Sequence, residues 1–179
     1  DGAYAEYLDD PAEDAGLSLA LARDNVVATR TFSKIHGLAA LRLGWACGPA
    51  HVISVLNRVR GPFNVSAPAL AAGAAAIRDR DWVTFCRNDN NRWRDWLAER
   101  IRAAGLGVTP STANFLLVDA GPDVAALTAH LAERGLIVRG MEGYGLPQHL
   151  RISIGDEAAC RAVAEAIDGF VAATPQAVE

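Results

Sequence analysis

One lysine stands among sixteen arginines in this sequence. It is Lys34, in the string Thr31-Phe32-Ser33-Lys34, directly after a stretch that reads as a buried strand. Loops at strand ends are where α/β sheets present their chemistry. A lysine there can form an imine with a carbonyl compound. The hydroxyls of Thr31 and Ser33 can donate to a phosphate, and Arg42, eight residues on, can add a bidentate guanidinium. A bias towards Arg and Ala codons accounts for most of the lysine shortage, but not for the position of the one that remains. On spacing alone the plainer reading, an exposed loop lysine beside a structural arginine, is the stronger one, because short motifs often match by chance.

The other candidates are weaker taken singly. Asp1 and Tyr4 read as an ordinary strand-end carboxylate and a packed tyrosine. Arg139 closes the apolar run Leu136-Ile137-Val138, and Arg151 opens Ile152-Ser153-Ile154. Arginines beside buried strands usually snorkel to the surface. His36 lies next to the Lys34 loop without a carboxylate at a suggestive spacing. His51, His130 and His149 fall on helices or turns, and no pair makes a metal motif. Cys47, Cys86 and Cys160 are odd in number and far apart, which predicts neither disulfides nor a metal site and suits a reducing cytoplasm.

The elements that must hold these residues follow from the apolar pattern. Leu17 to Arg23 predicts a short helix. Asn25 to Arg30 predicts a buried strand, Thr31 to Leu38 a polar loop closed by Gly37, and Leu41 to Ala46 a second strand. Gly48-Pro49 opens a helix whose Val52, Ile53, Val55, Leu56 and Val59 make an apolar face, and Gly61-Pro62-Phe63-Asn64 breaks it. Ala67 to Arg78 predicts an Ala-rich helix. Asp81 is expected to cap a long helix with Trp82, Phe85, Trp93, Trp96, Leu97 and Ile101 on one face, ending at Gly105. The charges between its tryptophans are mixed, which favours packing over a nucleic-acid stacking surface. A β-α-β-β-α unit follows. Its strands are Ala113 to Asp119, Leu136 to Arg139 and Leu150 to Ile154; its helices are Val124 to Glu133 and one capped by Asp156 that reaches about Ala172. Thr174 to Glu179 read as a frayed tail.

Composition sets the outer bounds. With 179 residues, 51% hydrophobic and 21% charged, the chain is in the globular range. No apolar run reaches the roughly 18 residues of a membrane span. A net charge of -4 argues against a general nucleic-acid binder. The opening Asp1-Gly2-Ala3-Tyr4 has no basic or apolar leader, so no signal peptide is expected.

Taken together, the motifs say more than any one of them. Asp1-Gly2-Ala3-Tyr4, then Thr29 to Lys34, then Gly37-Leu38-Ala39-Ala40-Leu41-Arg42-Leu43-Gly44-Trp45 resemble the pyridoxal-phosphate aminotransferases of fold type I. Phe63-Asn64-Val65, Ala113-Asn114-Phe115, Gly143-Tyr144-Gly145 and Leu150-Arg151-Ile152-Ser153-Ile154-Gly155 extend the match, in order, along nearly the whole chain. Within that family the string looks most like the branch that acts on histidinol phosphate. The resemblance implies an α/β fold: residues 1–104 as part of an aspartate aminotransferase-like large domain with its connecting helix, and 105–179 as a small α/β C-terminal domain. It implies pyridoxal 5'-phosphate as cofactor, with Lys34 as the catalytic lysine that holds it. Asp1 would face the pyridine nitrogen, Tyr4 the phenolic oxygen, and Thr31, Ser33 and Arg42 the phosphate. Arg151, with Arg139 less securely matched, would bind the anionic end of the substrate; Asn114 and Tyr144 stand as wall residues at most.

The implied reaction is transamination of L-histidinol phosphate with 2-oxoglutarate in histidine biosynthesis, by a cytoplasmic homodimer without metal, nucleic acid or membrane partners. The alternatives are an aromatic or broad-specificity aminotransferase, a decarboxylase of the threonine-phosphate type, and a non-catalytic fragment whose helices form an interface. Two departures stand out. Gly2 replaces the acidic residue usual after the first Asp, which predicts altered packing or flexibility. The family's N-terminal half, with its phosphate-side glycine loop and its ring-stacking aromatic, is not among these residues.

Overall fold

The computed structural model describes residues 1–10 and 14–173. Thr174 to Glu179, expected to fray, lie outside the described residues. The chain forms two compact units, Asp1–Asn88 and Asp89–Glu179.

The first unit is built around an antiparallel strand pair, β1 (Ala28–Thr31) and β2 (Gly44–Cys47). Helix α1 (Ala15–Ala22) packs against it. The Asp14 carboxylate caps α1 by accepting from Gly16 N at 3.2 Å. Helices α2 (Ala50–Val59) and α3 (Ala67–Ala76) follow. Ser66 caps α3 by accepting from Ala69 N at 3.3 Å. Among the described residues of this unit the buried apolar ones are few: Tyr7, Ala20, Ala28, Phe32, Ile35, Leu43 and Ala69. Gly73 of α3 lies so close to Leu43 that a Cβ there would strike the leucine side chain.

Several expectations need correction in this unit. The first strand begins at Ala28, not Asn25, and its alternation puts Ala28 and Arg30 inside while Thr29 is exposed. A polar residue every second position is ordinary for a strand with one wet face. The second strand begins at Gly44, because Ala39–Leu41 wind into a 3-10 turn and Arg42 takes a left-handed backbone, φ 53°. The apolar face of α2 is not covered: Val55, Leu56 and Val59 are exposed, as is Phe63 beyond it.

The second unit carries an antiparallel sheet in the order β3-β4-β6-β5. These strands are β3 (Gly107–Thr109), β4 (Phe115–Asp119), β5 (Arg139–Gly140) and β6 (His149–Ser153). Strand β3 was not expected; at three residues it is too short to show an alternation. The run Leu136-Ile137-Val138 precedes β5 and pairs with nothing in the sheet, and His149 opens β6 where a turn or helix was expected. Leu116, Val118, Leu150 and Ile152 project from one face and are buried. Leu127 and Leu131 of α5 (Val124–Glu133) and Cys160, Val163, Ala164 and Ile167 of α6 (Glu157–Ala173) fill the core with them. Burying each leucine or isoleucine stabilises by about 1.5–3 kcal/mol.

Helix α4 (Arg80–Ala103) runs across the division between the units. Asp79, not Asp81, supplies its cap, accepting from Trp82 N at 3.0 Å. Gly105, at φ 90°, ends it as expected. Trp93, Leu97, Ala98 and Ile101 belong to the core of the second unit, whereas Trp82 and Phe85 are exposed. The expected face is therefore buried along the later turns of the helix and exposed along its first turns. Among the described residues no helix is long and apolar enough to cross a membrane.

Candidate active site

Two buried side chains shape the Lys34 turn. Phe32 and Ile35 are 6% and 3% exposed, which leaves Ser33 and Lys34 between them half-buried at the surface of the turn. Gly37 N donates to Lys34 O at 2.9 Å, and Leu38 N to Phe32 O at 2.9 Å. Phe32 N donates in turn to Leu43 O at 3.1 Å, tying the turn to the start of β2. Thr31 Oγ1 accepts from Ser33 N at 3.0 Å, so its proton is directed elsewhere.

The candidate residues of the first unit meet around this turn. Lys34 Nζ lies 5.3 Å from the centroid of the Tyr4 ring. The Asp1 carboxylate accepts from Thr29 Oγ1 at 3.0 Å, and Gly2 N donates to Thr29 O at 2.9 Å. Arg42 curls back on its own turn: Nη1 donates to Ala39 O at 2.8 Å and to Ser33 Oγ at 3.5 Å. Asp1, Thr31, Ser33 and Arg42 are thus tied to β1 and its following loop by hydrogen bonds, and Tyr4 lies beside Lys34. One amine, one carboxylate, one phenol, two hydroxyls and one guanidinium suit a ligand with a carbonyl, a basic ring nitrogen and an anionic group.

His36, two residues after Lys34, is a further titratable group. Its ring stacks on Phe32 with centroids 4.9 Å apart, and its Nδ1 is buried with no hydrogen-bond partner among the described residues. Burial holds its imidazolium below the ordinary 6.5, and the charge of Glu6 opposes this only in part.

In the second unit, Arg139 and Arg151 are directly opposite each other across the β5–β6 pair. Arg151 is not at the start of its strand but in the middle of β6, facing away from the buried Leu150 and Ile152. Its guanidinium lies 4.0 Å from the Phe115 ring centroid; that of Arg139 lies 5.6 Å from Tyr144. Like charges at facing positions repel; a shared anion relieves that. Asn114 precedes β4, its carbonyl accepting from Ile154 N at 2.9 Å, and its Oδ1 is buried with no hydrogen-bond partner among the described residues.

The family model for aminotransferase class I and II matches residues 1–167. The chain belongs to that family. A histidinol-phosphate aminotransferase from Dinoroseobacter shibae is 54% identical over 174 residues, which are 96% of this chain and 48% of that protein. A second, from Rhodopseudomonas palustris, is 49% identical over 96% of this chain and 48% of its own length. The crystal structure of histidinol-phosphate aminotransferase from Sinorhizobium meliloti, in complex with pyridoxal-5'-phosphate, has a TM-score of 0.85 at 27% identity. It is matched over 96% of this chain and 47% of its own. The chain spans about half the length of the curated relatives it matches. An aspartate aminotransferase from Thermus thermophilus matches 93% of this chain and 48% of its own with a TM-score of 0.75 at 25% identity, so the aspartate aminotransferase-like fold implied by the motifs is the fold of the structural neighbours.

Two residues of this class I and II aminotransferase chain escaped the reading of its motifs. Thr29 tethers Asp1, and Arg30 is 7% exposed beneath it. Both lie inside the Thr29–Lys34 string. The signal there was an arginine within a strand read as buried, since such a charge demands partners.

Proposed function

We propose that the full-length protein carrying this sequence is a pyridoxal-phosphate-dependent aminotransferase that converts L-histidinol phosphate with 2-oxoglutarate, in histidine biosynthesis. The observation that carries this reading is the chain's only lysine, held in a turn beside Tyr4, with Asp1, three residues before that tyrosine, tethered to β1, in a class I and II aminotransferase. The names of the relatives, at about half identity, support the substrate.

When bound, pyridoxal phosphate supplies an aldehyde for a lysine amine and a ring that accepts electrons from the substrate carbon. The Asp1 carboxylate would keep the ring nitrogen protonated, Tyr4 Oη would donate to the phenolic oxygen, and Thr31, Ser33 and Arg42 would hold the phosphate. With the cofactor bound, Lys34 Nζ would be the amine that takes a proton and returns it, as general base and then general acid. Arg151, assisted by Arg139, holds the anionic end of the substrate. Two guanidiniums suit a doubly charged phosphate better than one carboxylate does, since each can fork onto different oxygens.

The exposed apolar residues of α2, with Phe63, Leu70 and Ile77, support a homodimer. Three free cysteines accord with a reducing cytoplasm.

The test is spectroscopic and kinetic. The full-length protein should be yellow with cofactor and lose its visible band on borohydride treatment, and Lys34→Ala should have neither band nor turnover while remaining folded. Wild-type turnover in Lys34→Ala would sink the assignment. Arg151→Ala should lower kcat/KM for histidinol phosphate, and Arg139→Ala should lower it relative to that for phenylalanine. Preference of the wild type for phenylalanine would replace this substrate with the aromatic one.

A further inference from the structure

Arg30 takes no part in the proposed cofactor and substrate contacts. It lies on the inner face of β1, 7% exposed, with the site residues Thr29 and Thr31 on either side of it in sequence. A buried guanidinium needs carboxylates and acceptors to offset the water it has lost. For Arg30 they come from three separate stretches of chain. Nη2 is paired with Asp14, at the start of α1. Nε lies 3.6 Å from Glu6 Oε1, in the 3-10 turn Ala5–Tyr7 directly after Tyr4. Nη1 donates to Thr29 O at 3.2 Å. Trp45, the cross-strand partner of Arg30 on β2, has its ring centroid 5.8 Å from the guanidinium carbon.

Gly2 completes the arrangement. Its N–H donates to the same Thr29 carbonyl that Arg30 Nη1 uses. A Cβ built on Gly2 would fall onto the Arg30 guanidinium. An arginine tip normally swings away at little cost, but this one is held by Asp14 and Glu6, so moving it breaks both ion pairs. The departure from the family's acidic residue at this position therefore has a physical counterpart: the space is filled by a guanidinium whose carboxylates come from elsewhere in the chain.

We propose that Arg30, with Glu6, Asp14 and Gly2, is a positioning cluster that fixes the Asp1–Tyr4 segment to β1 and so sets where Asp1 and Tyr4 stand relative to Lys34. This inference rests on the cofactor-dependent function above. Arg30 acts on that segment through Thr29 O, Gly2 and Glu6. With the cluster intact, the Asp1 carboxylate is held against Thr29 Oγ1 and the Tyr4 ring beside Lys34 Nζ. A protonated ring nitrogen and a donor at Tyr4 Oη both favour loss of the proton whose titration changes the visible band. Loosening the segment weakens both effects and raises the midpoint.

The test uses the full-length protein loaded with pyridoxal phosphate, and reads the pH midpoint of its visible band together with thermal melting. Arg30→Met and Gly2→Ala should each raise the midpoint by about one pH unit, the size of shift that nearby charges commonly produce. Their effects should not add in Gly2→Ala/Arg30→Met, because the added methyl has no guanidinium left to displace. A merely structural role would lower the melting temperature and leave the midpoint alone. If Arg30→Met does not fold, Gly2→Ala still decides, since it keeps every charge. A wild-type midpoint in Gly2→Ala, or additive shifts in the double variant, overturns the inference while leaving the proposed function standing. A wild-type protein with no visible band overturns both.

Discussion

Arg42 is a residue whose conformation, more than its charge, decides what it can reach. Its left-handed backbone turns it back over Ala39 and towards Ser33, whereas a place in the strand would have pointed it out from one face of the pair. Hydrogen bonds to charged groups are worth about 1.5–3 kcal/mol, so Arg42→Ala should weaken cofactor binding by roughly 10- to 100-fold. Titration of the apoprotein with pyridoxal phosphate measures this, and an unchanged dissociation constant removes Arg42 from the phosphate site. His36 makes a separate prediction. Its folded-state pKa lies below the ordinary 6.5, so the unfolded chain takes up the proton first as pH falls. Its contribution to stability is fully present above pH 6.5 and is lost as pH drops through the folded-state value. In His36→Phe the urea midpoint should fall less steeply on the acid side of neutrality than in the wild type. Lys34, Asp1, Tyr4, Thr31, Ser33 and Arg42 could be proposed from residue type and order alone. Thr29 and Arg30 could not: which neighbour tethers a carboxylate, and which buried charge finds its partners, depends on segments far apart in sequence meeting in space.

At the scale of elements, glycine placement governs the strand pair. A Cβ on Gly44 would stand 2.7 Å from the backbone oxygen of Arg30, the residue before its cross-strand partner Thr31 on β1. Neither backbone can give way without opening the pair, so Gly44→Ala should destabilise by about 1–3 kcal/mol, as overpacking does. Thermal melting checks it, and a melting point equal to wild type would show that the ladder tolerates the methyl. The helices were legible to within a few residues, because α5 and α6 bury one face each, Asp156 caps α6 by accepting from Ala159 N at 2.9 Å, and Gly135 follows α5 with φ 76°. The α4 cap was misplaced by two residues, since Asp79 and Asp81 are both plausible and only the backbone decides between them. Strands β3 and β5 are three and two residues long, too short for alternation to register. The apolar face of α2 was legible as a face, but nothing in its periodicity says what covers it.

For the whole molecule, exposed Val55, Leu56, Val59, Phe63, Leu70 and Ile77 predict association. Sedimentation of the full-length protein at working concentration should give a dimer, and a monomer would refute the reading. The antiparallel sheet of the second unit has a different bearing on association. Its edges are β3 and β5, the shortest strands in it, with Pro110 directly after β3 and Arg139 within β5. A long flat edge recruits strands from other chains and seeds aggregates; brevity, proline and charge all discourage that. Arg139 therefore guards against insolubility as well as standing opposite Arg151. An apolar residue in its place should leave more protein in the pellet on heating even where substrate is absent, so soluble yield and catalytic rate will fall in Arg139 variants for unrelated reasons.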